Sequence, residues 1–298
     1  MVPGQLNATS ILLTGATGHT GQRVAQRLLE RGAHLRCLLH TSSHRVRLPD
    51  SPKVQIIVGS AASPRDVARA AEGANTVVHL AHIRFAPALI EALSERVLPV
   101  RLIALSSTRL FSSFESPARE TVQKGEEEVM AAPSHIQWTI LRPSMIFGGP
   151  SDRNIERLAR FMKRSPVLPI FGSGANLVQP LFVWDLVDAI VACLERPATA
   201  RHTYTLAGPE PMAYRDMVEA VAYASGSRTP LVIPLPLKPS LWFAKALRRI
   251  WPGSPLNPEM IERFAEDRSF DISPARRDLD LCPTSFDRAL ERKFRREV

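Results

Sequence analysis

The sequence predicts an α/β chain, a doubly wound parallel sheet followed by a smaller C-terminal lobe that covers it. Three observations carry this. Short apolar runs alternate with helical patterns through the first half, the signature of strands joined by crossover helices. A glycine-rich turn separates the first apolar run from the first helical pattern. Beyond Pro143 the rhythm breaks into segments punctuated by prolines.

The elements follow in order. Ser10–Leu13 reads as a strand, and Gly21–Arg31 as a helix with Val24, Leu28 and Leu29 on one face and Gly32 as its stop. His34–Leu39 and Val54–Val58 are the second and third strands. Pro64–Glu72 is a helix with Ser63 as its cap and Pro64 in its first turn. Thr76–Leu80 is a strand, Pro87–Ser94 a helix, Val100–Leu105 a strand, Ala118–Ala132 a charged-faced helix and Trp138–Leu141 a sixth strand. In the second half helices fit Asp152–Arg164, Asp185–Glu195, Tyr214–Ser225, Pro239–Ile250, Pro258–Ala265 and Ser285–Arg295. The expected division is residues 1–150 for the sheet domain and 151–298 for the covering lobe, with some lobe segments returning to the sheet.

Residues 14–21 read T-G-A-T-G-H-T-G between strand and helix. Gly15 permits the tight turn, Gly18 lets a pyrophosphate approach the backbone, and Gly21 lets the helix pack on the strand. The helix start offers unpaired N–H groups and partial positive charge to phosphates. With the full strand–loop–helix context, this is a Rossmann-type dinucleotide site. Gly15, Thr17, Gly18, His19, Thr20 and Gly21 are its expected contacts.

Binding of NAD calls for Asp or Glu at the end of the second strand, to accept from the ribose hydroxyls. No acid occurs between Glu30 and Asp50, and the strand ends in L-H-T-S-S-H-R. His40, Thr41, Ser42 and Arg45 suit a 2′-phosphate, which favours NADP(H) over NAD(H). The alternative is an ordinary solvated loop.

The net charge is +9, from 38 Lys and Arg against 29 Asp and Glu. The basic residues are dispersed, with denser runs at Lys245–Arg249 and Arg288–Arg296, and no aromatic-interleaved basic stripe marks a nucleic-acid reader. No run reaches the roughly 18 apolar residues of a membrane span, and MVPGQLNATS has no signal-peptide pattern. Three cysteines, Cys37, Cys193 and Cys282, are too scattered for a disulfide framework or metal site. A cytoplasmic protein without metal, acting on a small molecule, is the expectation, and peripheral membrane contact stays open.

T-G-x-x-G-x-x-G, then Leu105-Ser106-Ser107-Thr108, Leu141-Arg142-Pro143-Ser144 and Val183-Trp184-Asp185-Leu186 occur in that order. Together they resemble the extended and atypical short-chain dehydrogenase/reductases. That superfamily spans nucleotide-sugar epimerases, isoflavone-type reductases, nitrogen-repression regulators and an accessory NADPH-binding subunit of respiratory complex I. The resemblance covers nearly the whole chain. It implies that Leu80 and Ala81 line the adenosine–pyrophosphate side, that Ser106, Ser107 and Thr108 face nicotinamide and substrate, and that Pro143 and Ser144 flank the nicotinamide. It places Gln179 and Asp185 in the closing lobe.

One departure matters. The family pattern pairs Tyr with Lys four residues later on the helix after strand five. The tyrosine exchanges a proton with substrate, and the lysine lowers its pKa and binds the ribose. Lys124 stands in the lysine's place, but Glu120 stands in the tyrosine's. The three tyrosines, Tyr204, Tyr214 and Tyr223, all lie in the second half. The remaining catalytic candidates are Thr108, Lys124, Glu120 and His82. Against these, Glu120 and Lys124 also fit a surface ion pair, Thr108 a strand end, and His82 a polar strand terminus.

Two functions fit. One is an NADP(H)-dependent oxidoreductase or epimerase for a small carbonyl or sugar-like substrate. The other is a non-catalytic NADP(H) sensor or accessory subunit. The stretch Leu231–Trp251, with Trp242, Phe243, Ile250 and Trp251 among Lys245, Arg248 and Arg249, reads first as a buried lobe helix. A membrane-surface or partner helix is the alternative.

Overall fold

A computed structural model describes residues 6, 9–40, 48–149, 152, 154–251, 253–254, 258–264 and 266–294. Seven parallel strands form the main sheet: β1 (Ser10–Thr14), β2 (His34–Leu39), β3 (Val54–Val58), β4 (Thr76–His79), β5 (Val100–Leu105), β6 (Ile136–Pro143) and β7 (His202–Leu206). Their order is β7-β6-β5-β4-β1-β2-β3. The chain therefore reverses its winding between β1 and β4, where open α/β sheets bind ligands beyond their strand ends.

Helices cover both faces. One layer holds α1 (His19–Glu30) and α6 (Val183–Glu195); the other holds α2 (Pro64–Ala71), α3 (Ala86–Ser94) and α4 (Pro117–Met130). The inner strands are buried on both sides, which is why they read as continuous apolar runs. Ile11, Leu13, Val24, Leu28 and Cys37 pack with Leu186 and Ile190 on the first face. Leu12, Val77, Leu89, Leu102, Val122 and Val129 pack on the second. Burial pushes the Cys37 and Cys193 thiols up to about 12, so neither is a nucleophile near neutrality.

Several sequence expectations need correction. The first helix starts at His19 rather than Gly21, because Gly18 takes the extended conformation (φ −73°, ψ 171°) that caps it. The helix expected from Asp152 starts at Ile155, because Asp152 Oδ1 accepts from the N–H groups of Asn154 (2.7 Å) and Ile155 (3.2 Å) and so lies ahead of it. Strand β6 is longer than Trp138–Leu141, and a segment of the second half in which the sequence predicts no strand, His202–Leu206, joins the sheet as β7, paired from His202 opposite Thr139 to Leu206 opposite Pro143.

The remaining helices are α5 (Ile155–Met162), α7 (Tyr214–Ala224), α8 (Leu237–Ile250), α9 (Pro258–Glu262), α10 (Ser273–Leu279) and α11 (Phe286–Phe294). Phe147, Ile155, Phe182, Val218 and Leu290 form a separate apolar core among them. Leu231–Leu235 pairs in parallel with Val167–Phe171. The expectation that Leu231–Trp251 is buried fails: in α8 only Ala244 is buried. Trp242, Phe243 and Ile250 face outward while Leu237, Leu241 and Leu247 are half-buried, and an amphipathic pattern has the same period whichever way it faces. Among the described residues no helix is long and apolar enough to cross a membrane.

Candidate functional site

The glycine loop leaves β1 and enters α1. Gly15 has φ +70°, and a Cβ there would lie 2.7 Å from the backbone of Leu80 and Ala81, so the turn and its contact with the end of β4 both require glycine. A Cβ on Gly21 would overlap the Gly15 carbonyl. Gly18 differs. Its φ is ordinary, and its Cβ would meet only Gly15 O, at 3.2 Å. The fold's demand for glycine there is lighter than at Gly15 and Gly21, and a ligand laid against the backbone would add to it.

The surroundings suit an anion. No acid occupies the first turn of α1, and no side chain caps it, so its N–H dipoles are available. Arg23, from the second turn, donates to His19 O at 2.7 Å. His19 is held down to about 4 by burial, then by the positive charges of Arg23 and Lys293, so it is neutral near pH 7. Beneath the loop Thr14 Oγ1 lies 2.9 Å from Nδ1 of the fully buried His79. The N–H groups of Leu80 (to Thr14 O, 3.1 Å) and Ala81 (to Thr14 Oγ1, 3.4 Å) fix the two strand ends together. His40 ends β2 with no carboxylate in that strand; Thr41, Ser42 and Arg45 lie outside the described residues.

Past β4 the strand ends open into a cleft of about 360 Å³ lined by Ser106, Ser107, Thr108, Pro143 and Ser144, with Gln179 and Phe270 from later segments. Its walls are fixed by hydrogen bonds. Ser144 Oγ donates to Gln179 O (2.5 Å), and Gln179, buried, donates from Nε2 to Gly208 O (2.7 Å) and accepts from Phe270 N–H (2.8 Å). Ser106 Oγ donates to Glu126, a carboxylate 1% exposed that also receives Arg142 Nε at 3.0 Å and Nη2 at 2.5 Å. That buried pair ties α4 to the ends of β5 and β6. Thr108 Oγ1 donates to Pro143 O at 3.3 Å. Ser107 Oγ accepts from Arg109 N–H at 3.2 Å, which leaves its own O–H to donate elsewhere.

A second cavity, about 320 Å³, shares Met145, Asn154, Val178, Arg263 and Arg268 with this cleft. Leu158, Tyr214, Met217, Met260 and Phe264 give it an apolar wall. Arg109 pairs with Glu259 at 2.5 Å. Burial, then the neighbouring Arg268 and Arg109, lowers Arg263 to about 10, so it stays protonated near neutrality while crowded by like charge. Arg268 is lowered too, mainly by burial, and its Nε has no hydrogen-bond partner among the described residues. Two half-buried guanidinium groups at the junction of the cavities can receive an acceptor or anionic group.

The candidates Glu120 and Lys124 do not join this cleft. Lys124 Nζ lies 2.6 Å from Glu120 Oε1, with the side chains 70% and 63% exposed. Val122, Gly125, Glu126 and Val129 form the buried face of α4, and residues two away lie roughly half a turn round the helix. His82 is exposed, and its Nδ1 accepts from Arg84 N–H at 3.1 Å, capping a short helical turn. Burial, with Arg84 and Arg109, lowers its pKa and disfavours the protonated donor. Of the tyrosines, Tyr214 lines the apolar cavity, Tyr204 is buried with its OH donating to Asp278 at 3.3 Å, and Tyr223 is exposed.

Sequence reasoning missed Glu126 and the arginines. Glu126 had a signal, since it stands at i+4 from Val122 and i−3 from Val129 on the apolar face. Arg263 and Arg268 had none, because they reach the cleft only through the folding of a distant segment.

Residues 15–164 match the family model described as NAD(P)H-binding. The chain is 27% identical over 254 residues to a ceramide reductase from Caulobacter vibrioides, covering 81% of this chain and 78% of that one. It is 24% identical to a 2-alkyl-3-oxoalkanoate reductase from Stenotrophomonas maltophilia, covering 92% and 94%. Among solved structures, an epimerase from Methanothermobacter thermautotrophicus superposes with a TM-score of 0.77 at 21% identity, covering 97% of this chain and 92% of that one. A UDP-glucuronic acid 4-epimerase from Bacillus cereus, in complex with UDP-glucuronic acid and NAD, gives 0.75 at 21%, covering 96% and 98%. With its seven-stranded sheet, glycine loop and serine-lined cleft, the chain belongs to the NAD(P)H-binding family, and its fold is similar to that of the epimerase structures.

Proposed function

We propose that the chain is an NADP(H)-dependent oxidoreductase acting on a small carbonyl compound, or the corresponding alcohol, that has an apolar body and a polar or anionic group. The observation that carries this is the junction of the two cavities. The serine-lined cleft opens, through Met145 and Val178, into a wall of Leu158, Met217, Met260 and Phe264, with Arg263 and Arg268 between. That lining favours a carbonyl with an apolar body over a sugar, and the two reductases among the relatives support it.

Gly15, Gly18 and Gly21, with Thr17, His19 and Thr20, would hold the pyrophosphate, and Leu80 and Ala81 the adenosine side. His40, Thr41, Ser42 and Arg45 would receive the 2′-phosphate; the absence of an acid between Glu30 and Asp50 supports NADP. Pro143 and Ser144 would flank the nicotinamide, which when bound supplies or accepts hydride. Ser106 braces the cleft through Glu126. The Ser107 hydroxyl, with its proton uncommitted, would donate a hydrogen bond to the substrate oxygen and relay to it a proton resupplied by solvent, while Thr108, bonded to Pro143 O, would fix the cleft wall beside it. Arg263 and Arg268 would hold the substrate's acceptor group. No tyrosine is needed in this arrangement.

The test is loss of NADPH absorbance with a panel of aliphatic carbonyl compounds. Saturable turnover that falls at least about a hundredfold in Ser107→Ala, while Tyr204→Phe and Tyr223→Phe retain most of it, is the expected result. A collapse in Tyr214→Phe would instead give the proton-donor role to the cavity tyrosine. A second reading, a non-catalytic NADP(H) sensor or accessory subunit, is favoured by the outward position of Glu120 and Lys124. Tight NADPH binding with no oxidation across the panel would select it.

A further inference from the structure

Helix α8 packs Leu237, Leu241 and Ala244 inward and carries a second apolar stripe on its outer side. Pro239, Trp242, Phe243, Ala246 and Ile250 recur at i, i+3, i+4, i+7 and i+11, which places them on one stripe. The one buried residue of the helix, Ala244, is on the opposite side. Trp242 is 74%, Phe243 56% and Ile250 85% exposed, and Trp251, just beyond the helix, is 57% exposed. Isolated exposed hydrophobics need no explanation, but a row of Trp242, Phe243 and Ile250 along one side of a helix does.

The charge beside the stripe says what covers it. Lys238, Lys245 and Arg249 fall together along one flank, at i, i+7 and i+11, and α8 contains no acidic residue. Lys245 meets Glu262 at 3.5 Å, whereas Lys238 and Arg249 have no ion pair among the described residues. A second copy of this chain would set two such basic rims against each other, on molecules that each carry a net charge of +9. An anionic bilayer supplies the complementary charge and an apolar boundary into which Trp and Phe insert.

We propose that α8 docks the protein on an anionic lipid surface. Trp242, Phe243 and Ile250 enter the boundary between headgroups and acyl chains, and Lys238, Lys245 and Arg249 lie against lipid phosphates. Lys245 also connects α8 to α9, whose Met260 is both exposed and part of the wall of the apolar cavity. Docking therefore brings that cavity next to the bilayer. Resting on the oxidoreductase reading, this makes the substrate a membrane-resident amphiphile.

The test is co-sedimentation of the full chain with vesicles of phosphatidylcholine alone and of phosphatidylcholine containing phosphatidylglycerol. Saturable binding to the anionic vesicles, about tenfold or more weaker to the neutral ones and weakened by salt, is expected. Trp242→Ser/Phe243→Ser should lose about tenfold or more while keeping its melting profile and NADPH affinity. Lys238→Glu/Lys245→Glu/Arg249→Glu should lose the salt-sensitive part. No sedimentation, or binding unchanged in the Trp242/Phe243 variant, overturns the proposal. So does a concentration-dependent dimer in analytical ultracentrifugation that the same variant abolishes, since the stripe would then belong to a second copy. None of these readouts needs turnover, so the docking surface and the oxidoreductase reading fail separately.

Discussion

Gly18→Val separates what the glycine loop does for the fold from what it does for a ligand. At Gly18 the backbone is extended (φ −73°, ψ 171°), a conformation valine adopts readily, and the nearest obstacle to a Cβ is Gly15 O at 3.2 Å. The folding cost is the loss of a good cap residue and the crowding of Gly15 O, together about 1 kcal/mol, a fall of roughly 2 °C in melting temperature. Gly15→Ala is unsuitable as a probe, because φ +70° alone costs about 1–2 kcal/mol for a side chain and the Cβ would meet the backbone at 2.7 Å. On the ligand side, valine's added carbons stand over the first turn of α1. Losing two charge-assisted hydrogen bonds from phosphate to backbone N–H, at about 1.5–3 kcal/mol each, weakens binding by more than about a hundredfold. Titration calorimetry with NADPH, alongside circular dichroism, reads both quantities. An unchanged affinity in a folded Gly18→Val protein refutes the loop as the pyrophosphate cradle. Extensive unfolding refutes the claim that the structural demand at Gly18 is light.

Three further outcomes are expected, two from the geometry and the one at Arg45 from the sequence alone. Glu126→Gln removes the charge that holds Arg142 and Ser106 and should cost about 3 kcal/mol, a drop of roughly 6 °C in melting temperature; a drop under about 2 °C would mean the pair braces nothing. Arg45→Ala should weaken NADPH binding about tenfold and spare NADH, because only the former offers a phosphate; equal losses would remove Arg45 from the site. His79, fully buried, has its pKa lowered from 6.5 to about 4 by burial. The native protein therefore binds fewer protons than the unfolded chain in that window, and the stability present above pH 6.5 is lost as pH falls toward 4, by roughly 3 kcal/mol from this ring alone. Urea unfolding at the two ends of the window measures it, and His79→Asn should flatten the slope.

The sheet was legible because its signals are local. Strands β2, β3 and β5 match their apolar runs residue for residue, and the loop from Thr14 to Gly21 encodes its turn, its cap and its close packing in consecutive residues. What failed was non-local. His202–Leu206 alternates in burial and lies after the prolines begin; only its pairing with β6 makes it a strand. The stripe of α8 has the period of a core-facing helix, and nothing within Leu237–Ile250 records that no partner covers it. Glu126 was hidden among Glu126, Glu127 and Glu128, although the phase set by Val122 and Val129 singles it out. Asp185, expected to open its helix, lies in the first turn of α6, which starts two residues earlier, and accepts from Thr284 N–H and Oγ1, both at 2.8 Å.

A crystal structure with NADP⁺ tests the central claim most directly. The account predicts the pyrophosphate over Gly18 at the start of α1, the 2′-phosphate beside His40, and the nicotinamide between Ser107 and Ser144. Its C4 should face the cavity that Arg263 and Arg268 share with Met145. A nicotinamide turned away from that cavity, or a serine-lined cleft left empty with the dinucleotide bound elsewhere, would contradict it.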